Sequence, residues 1–218
     1  MNILYQDSDL IVCIKPPDTV SENTPSKSGL ADLLTAQTGG YVGVVHRLDR
    51  GVGGVTVYAA SPFAAAKLST AIQAHQVQKQ YLAAVHGTMP SPQDSLRDLL
   101  FHDRRQNKTF VVSRARAGVK EALLDYQTLQ ILQTEPHGIL SLLRVTLHTG
   151  RTHQIRVQFA SRGHALLGDG KYGASGDRCP IALFASQLSF PHPRTGKIMN
   201  FAALPQGTPW ELFDWNTV

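Results

Sequence analysis

The stretch Val44-Val45-His46-Arg47-Leu48-Asp49-Arg50-Gly51-Val52-Gly53-Gly54-Val55-Thr56-Val57-Tyr58 sets one carboxylate, two arginines and three glycines between two β-branched runs. Branched side chains favour extended backbone, so Val44-Val45 and Val55–Tyr58 are predicted strands. The glycines permit a sharp turn and close backbone approach between them. Asp49 lies between Arg47 and Arg50, whose cations favour its ionised form. An ionised carboxylate on a short, rigidly flanked loop can serve as a nucleophile or as a base. Taken alone, the stretch also reads as a turn aspartate accepting from backbone amides beside two solvated arginines.

Upstream, Ile3–Tyr5 and Leu10–Ile14 read as a hairpin that Lys15-Pro16-Pro17-Asp18 ends, because prolines cannot continue a ladder. Residues 19–28 are polar and loop-like, and Ser28 precedes Leu30, Leu33 and Leu34 at helical spacing until Gly39-Gly40. Downstream, Ser61-Pro62 opens a helix with Ala65, Leu68, Ile72 and His75 on one face. A strand follows at Lys79–Val85, then a connection over 88–98 rich in Pro, Ser and Asp. Further strands are predicted at Phe110–Val112, Ala122–Leu132, Ile139–Leu147, Ala182–Ala185, Gln187–Phe190 and Ile198–Ala202. Thr152 is placed to cap a helix carrying Ile155, Phe159 and Ala160, and Thr208-Pro209-Trp210-Glu211 to start a short terminal one. Many strands joined by hairpin-length loops, with few helices, predict an α+β fold around a largely antiparallel mixed sheet. No linker or repeat interrupts it, so residues 1–218 are expected to form a single domain.

The chain carries a net charge of +5 and a sequence pI of about 9.4, which makes polyanions plausible partners. Seven basic residues (Arg97, Arg104, Arg105, Lys108, Arg114, Arg116 and Lys120) lie within one tract, where they could meet phosphates or form a solvated face. Two distant cysteines argue against a disulfide framework, and nine scattered histidines lack ligand spacing, so no metal is expected. The N-terminus lacks a signal-peptide pattern, and no apolar run approaches the ~20 residues that span a bilayer; a cytoplasmic monomer is expected.

Four segments in order complete the pattern: His46-Arg47-Leu48-Asp49, Lys79-Gln80-Tyr81-Leu82-Ala83, Gly150-Arg151-Thr152-His153-Gln154-Ile155-Arg156-Val157, and Gly168-Asp169 with Tyr172-Gly173. Together they resemble the RluA family of pseudouridine synthases from the opening hairpin to about Pro205. The resemblance implies isomerisation of uridine in ribosomal or transfer RNA, without cofactor or metal. It implies that Asp49 is the catalytic carboxylate, Tyr81 the ring stacking on the target base, and Arg156 the arginine paired with the aspartate. Whether the carboxylate attacks the sugar, attacks the base or removes a sugar proton stays open. Arg47 matches an arginine that fills the vacated stack. His46, Arg151, His153, Gln154, Arg104, Arg105 and Lys108 are further expected RNA contacts. The family's Thr-Ser before the loop's last glycine is replaced by Val52-Gly53, so two hydroxyls are missing. An RNA-binding protein that kept the fold with weak or no turnover is the alternative. Many relatives carry an N-terminal S4-type domain; here the chain opens on the catalytic hairpin, so RNA recognition is expected from its own surface.

Overall fold

A computed structural model describes residues 2–23, 28–173 and 176–217; residues 24–27 of the expected polar loop lie outside them. In chain order the elements are β1 (Ile3–Gln6), β2 (Leu10–Lys15), α1 (Leu30–Thr38), β3 (Gly43–Val44), β4 (Gly53–Ala59), α2 (Pro62–Gln73) and β5 (Gln78–His86). Then follow β6 (Gln93–Asp103), β7 (Lys108–Val112), β8 (Val119–Thr134), β9 (Gly138–Leu147), α3 (Gln154–Ala160), β10 (Leu183–Pro191) and β11 (Ile198–Ala202). The architecture is α+β, with sheets that are mixed and largely antiparallel. The chain divides into two compact units, Met1–Lys79 with Phe184–Pro205, and Gln80–Leu183 with Gln206–Val218.

In the first unit the strand order is β1-β2-β4-β10, with β3 also on β4 and β11 on β10. All of these pairings are antiparallel except β4 with β10, where Gly53 faces Phe184 and Gly54 faces Ala185. Every residue of β4 is buried. A strand covered on both faces needs apolar residues on both, which is why Val55–Tyr58 reads as a continuous run. Leu10, Val12, Val55 and Val57 pack with Ala64 and Leu68 of α2 and Phe190 of β10. Ile11, Cys13 and Tyr58 point the other way and pack with Leu30 and Leu34 of α1. Gly54 has φ +126°, and a Cβ there would lie 2.3 Å from the Ala185 carbonyl oxygen, so only glycine fits the parallel pairing.

Ser61 caps α2 as expected, its hydroxyl accepting from the Ala64 amide at 3.1 Å. The buried face is Ala64, Leu68 and Ala71 rather than one ending at His75, which is exposed beyond the helix. Gly39, in the left-handed region at φ 68°, ends α1 as expected; the N-cap is Gly29.

The second unit orders its strands β5-β9-β8-β6-β7, with β9-β8, β8-β6 and β6-β7 all antiparallel. The expected connection over 88–98 is corrected: β6 starts at Gln93, since Gln93–Phe101 pairs along β8 whatever its polarity. Cross-strand pairing outweighs weak local propensity there. The break expected at Ser186 is absent, and β10 runs unbroken through it. The terminal helix is only a 3-10 turn, Trp210–Leu212, without a side-chain cap. Helix α3 packs Val157 against Leu100 and Ala122, with Tyr172 alongside.

Candidate active site

Asp49 sits where strand pairing has stopped, between β3 and β4, and local bonds shape its turn. The Val52 amide donates to the Asp49 carbonyl at 3.0 Å, closing the chain towards β4. The Ser21 hydroxyl donates to the Leu48 carbonyl and accepts from the Leu48 amide, both at 3.1 Å. Lys15, fully buried at the end of β2, reaches the Arg50 carbonyl at 3.1 Å. Neither Ser21 nor Lys15 was singled out from the sequence. Leu48 and Val52 are buried on either side of Asp49.

His46 and the two arginines do different work. The His46 Nε2 accepts from the Val57 amide at 3.1 Å and lies 3.3 Å from the Thr56 hydroxyl, so it fastens the loop to β4. Burial, aided by the Lys79 charge, pulls its imidazole down to about 3, and the ring is neutral near pH 7. Expected at the RNA, it braces the loop against β4 through Nε2. Arg47 is exposed and pairs with Glu22, and Arg50 lies 3.8 Å from Asp18. Arg47 therefore presents a guanidinium at the surface on a loop that is itself held.

In the second unit, α3 carries Arg156 in its first turn. The expected Thr152 cap is not made: the N-cap is His153, in the left-handed region at φ 54°, with no side-chain capping bond. Thr152 instead offers its carbonyl to the Thr109 hydroxyl at 2.9 Å. Gln154, expected at the RNA, is 3% exposed. Its Oε1 accepts from the Thr149 hydroxyl at 2.8 Å and the Arg151 amide at 3.0 Å, and its Nε2 donates to the Leu123 carbonyl at 3.1 Å. A carboxamide so engaged braces the loop before α3.

Arg156 is held by Asp169. Its Nε and Nη2 donate to the two carboxylate oxygens at 2.7 Å each, a bidentate pair whose carboxylate is fully buried. The amides of Lys171 and Tyr172 add bonds of 3.0 and 3.1 Å to the same carboxylate. Burial pushes the Asp169 carboxyl up, but Arg156 and the two amides outweigh it and hold it below the usual range. The Tyr172 ring lies 5.2 Å from the Arg156 guanidinium and 5.4 Å from the Lys108 ammonium. Its hydroxyl accepts from the Thr109 amide at 2.7 Å and lies 2.9 Å from His153 Nδ1. Asp169 and Tyr172 belong to the segment that completed the resemblance; nothing in their spacing from Arg156 foretold the pair. Tyr81, on β5, is 8% exposed.

The tip of the β6–β7 hairpin forms one wall of a cavity of about 740 Å³, lined among others by Arg104, Arg105, Lys120, Gly150 and Arg151. Among the described lining residues the one carboxylate, Asp103, is turned to the hairpin turn, where it accepts from the amides of Arg105 and Gln106. Arg97 lies outside this group, paired with Glu121 at 2.7 Å. Arg104, Arg105, Lys120 and Arg151 give this cavity a positive field.

A sequence profile of RNA pseudouridylate synthases matches residues 9–161. The chain belongs to the RNA pseudouridylate synthase family. It is 32% identical to an uncharacterised RNA pseudouridine synthase of Aquifex aeolicus, over 99% of this chain and 72% of that protein. It is 34% identical to the ribosomal large subunit pseudouridine synthase D of Vibrio cholerae, over 93% of this chain and 67% of the other. Its backbone is similar to that of human RNA pseudouridylate synthase domain containing 1, with a TM-score of 0.80 at 23% identity over 94% of this chain and 83% of that one. Membership makes the chain an isomerase that converts uridine in RNA to pseudouridine. Among the described residues, no helix is long and apolar enough to cross a membrane.

Proposed function

We propose that this pseudouridine synthase uses Asp49 as its catalytic carboxylate, Tyr81 as the aromatic face for the target base and Arg156 as the guanidinium serving the reaction. The observation that carries the reading is the hold on the Asp49 loop, bonded through Leu48 and Arg50 on either side of the aspartate. A base must leave its stack to be detached, rotated and rejoined, which calls for a fixed nucleophile or base, a stacking ring and a plug. Arg47, exposed on the same loop, suits the plug. Positioning dominates such chemistry, because the detached base has to stay beside its sugar.

The RNA, ribosomal or transfer, is held in this proposal by Arg104, Arg105, Lys120 and Arg151 around the hairpin cavity, with Lys108 and His153 beside Tyr172. The protein acts in the cytoplasm as a monomer and a single catalytic domain, without metal or cofactor. The replacement of two hydroxyls by Val52-Gly53 favours a second reading, an RNA-binding protein without turnover. Asp49→Asn tests the first reading: isomerisation should vanish while RNA binding stays within a few-fold. Wild-type turnover in that variant overturns the role of Asp49, and no turnover in the unmodified protein on bulk RNA selects the second reading. Mapping pseudouridines in RNA from cells with and without the gene would name the target.

A further inference from the structure

We infer that Asp177, gripped by His86 and His137, is a positioning residue for catalysis: it tethers the segment whose Asp169 and Tyr172 hold Arg156. The inference rests on Arg156 serving the reaction. Residues 165–167 run beside the end of β5 and are bonded to it. The His86 amide donates to the Ala165 carbonyl at 3.0 Å, and the Leu167 amide to the Ala84 carbonyl at 2.9 Å. Beyond Leu167 this pairing ends. From Gly168 to Gly173, among the described residues, the main-chain bonds are local: the Asp169 amide donates to Leu166, Gly170 to Gly168, and Gly173 to Asp169. The turn that carries Asp169 is thus held by no ladder.

Asp177 supplies the hold from the side. Its Oδ2 accepts from the Gly168 amide at 2.9 Å and lies 2.8 Å from His86 Nε2. Its Oδ1 lies 3.3 Å from His137 Nδ1. An ionised carboxylate only accepts, so each ring turns an N–H towards it. His86 ends β5, and its carbonyl accepts from His164 Nδ1 at 3.0 Å, while His137 lies in the turn between β8 and β9. The residue before Asp169 is therefore fastened to the ends of separate strands through one side chain. The chain after Asp177 also lies directly against Gly168. A Cβ there would stand 2.3 Å from the Pro180 carbonyl oxygen and 2.7 Å from that of Cys179. Burial pushes the Asp177 carboxyl up, but His86, the Gly168 amide and His137 outweigh it and hold it below the usual range.

A tether on Gly168 acts on its neighbour. Asp169 takes both Arg156 bonds at 2.7 Å and the amides of Lys171 and Tyr172, and the Tyr172 ring lies 5.2 Å from the guanidinium. When Gly168 shifts, carboxylate and ring shift with it, and Arg156 loses its orientation. A displacement of about 1 Å at a reacting group costs on the order of 100-fold in rate. An aspartate that only stabilised its own loop would lower the melting temperature and leave Asp169 in place.

The test measures kcat and KM for isomerisation of bulk RNA, RNA affinity, and NMR hydrogen exchange of the Lys171 and Tyr172 amides. The proteins are the wild type, Asp177→Ala, Asp177→Asn, His86→Leu and the core control Leu143→Val. Asp177→Ala strips the Gly168 amide and both rings of their partner. It should lose ~10-fold or more in kcat with KM and RNA affinity within a few-fold, and the two amides should exchange ~10-fold faster. Asp177→Asn should restore both readouts. Its oxygen serves Gly168 and His86, and its NH₂ faces His137 Nδ1, which accepts once that ring carries its proton on Nε2. Leu143, fully buried on β9, should melt earlier as valine and keep its kcat. Wild-type kcat in Asp177→Ala overturns the tether, as does a loss without faster exchange, a failure of Asp177→Asn to rescue, or an equal loss in Leu143→Val. If Asp177→Ala does not fold, wild-type kcat and exchange in His86→Leu overturn it instead. Full activity in Arg156→Ala would refute the role of Arg156, an outcome separate from the exchange readout.

Discussion

Replacing Asp169 with asparagine keeps the side-chain shape and removes the charge that holds Arg156. The carboxylate is fully buried, the Arg156 side chain 12% exposed, and the two Arg156 bonds are 2.7 Å long. An amide has one acceptor oxygen where the carboxylate had two. It will place that oxygen at the Oδ1 position, which serves Arg156 Nη2 and the amides of Lys171 and Tyr172. The NH₂ group then faces Arg156 Nε, donor against donor. Removing one partner of a buried pair costs ~3–5 kcal/mol. At ~2–4 °C per kcal/mol for a chain of this size, the melting temperature should drop by ~6–20 °C. The pH dependence supplies a second reading of the same quantity. The folded Asp169 carboxyl is held below its ordinary 3.8, so its contribution is complete above that value and is lost as pH falls through the folded one. Melts followed by circular dichroism should show a gap between wild type and variant that is flat from about pH 5 to about pH 8 and closes below about pH 4. Isomerisation, measured well below both transitions, should fall at least ~10-fold as Arg156 loses its orientation. A shift under ~2 °C at neutral pH, or a gap that persists in acid, would refute this account of the pair.

Gly54→Ala should destabilise by ~3 kcal/mol or more, since it combines a φ reserved for glycine with a Cβ 2.3 Å from the Ala185 oxygen; a normal denaturant midpoint would show that β4 and β10 part easily. Arg104→Ala with Arg105→Ala should flatten the log-affinity against log-salt slope for RNA by ~0.7–0.9 for each phosphate that is no longer neutralised, and an unchanged slope assigns both to a solvated face. The His46 ring should not titrate between about pH 5 and about pH 8 by NMR, because burial has pulled it down to about 3; a midpoint near its ordinary 6.5 would place it in water. Cys13 is fully buried, which pushes its thiol up to about 12, so thiol reagents should modify Cys179 in the native protein and reach Cys13 only on unfolding.

Local chemistry made much of the fold legible. The branched run of β4, the Ser61-Pro62 start of α2, the glycine end of α1 and the strands β5, β8 and β9 all follow from short-range preferences that packing then reinforced. Reading failed where a distant segment overrode local preference. Polar Gln93–Asp103 became a strand because β7 and β8 pair with it on either side. Thr152 lost its cap because its carbonyl accepts from the Thr109 hydroxyl and the next side chain, the His153 ring, bonds the Tyr172 hydroxyl.

The candidate site divides in the same way. None of Asp49, Tyr81 and Arg156 is marked out by its own chemistry alone; they were proposed from the order of short segments around them, which carries the family resemblance. What holds them was not. Ser21 lies 27 positions from Leu48, Lys15 lies 35 from Arg50, and Asp169 lies 13 beyond Arg156. Nothing in these separations foretells the pairings, even for Asp169, whose segment helped carry the resemblance, because a hydrogen bond depends on distance in space and leaves no mark in spacing along the chain. Sequence alone determined most of the strands and turns and named the candidate reacting groups; only tertiary structure decided which buried cation, hydroxyl and carboxylate brace the segments around them, because that depends on which distant segments the fold brings within bonding distance.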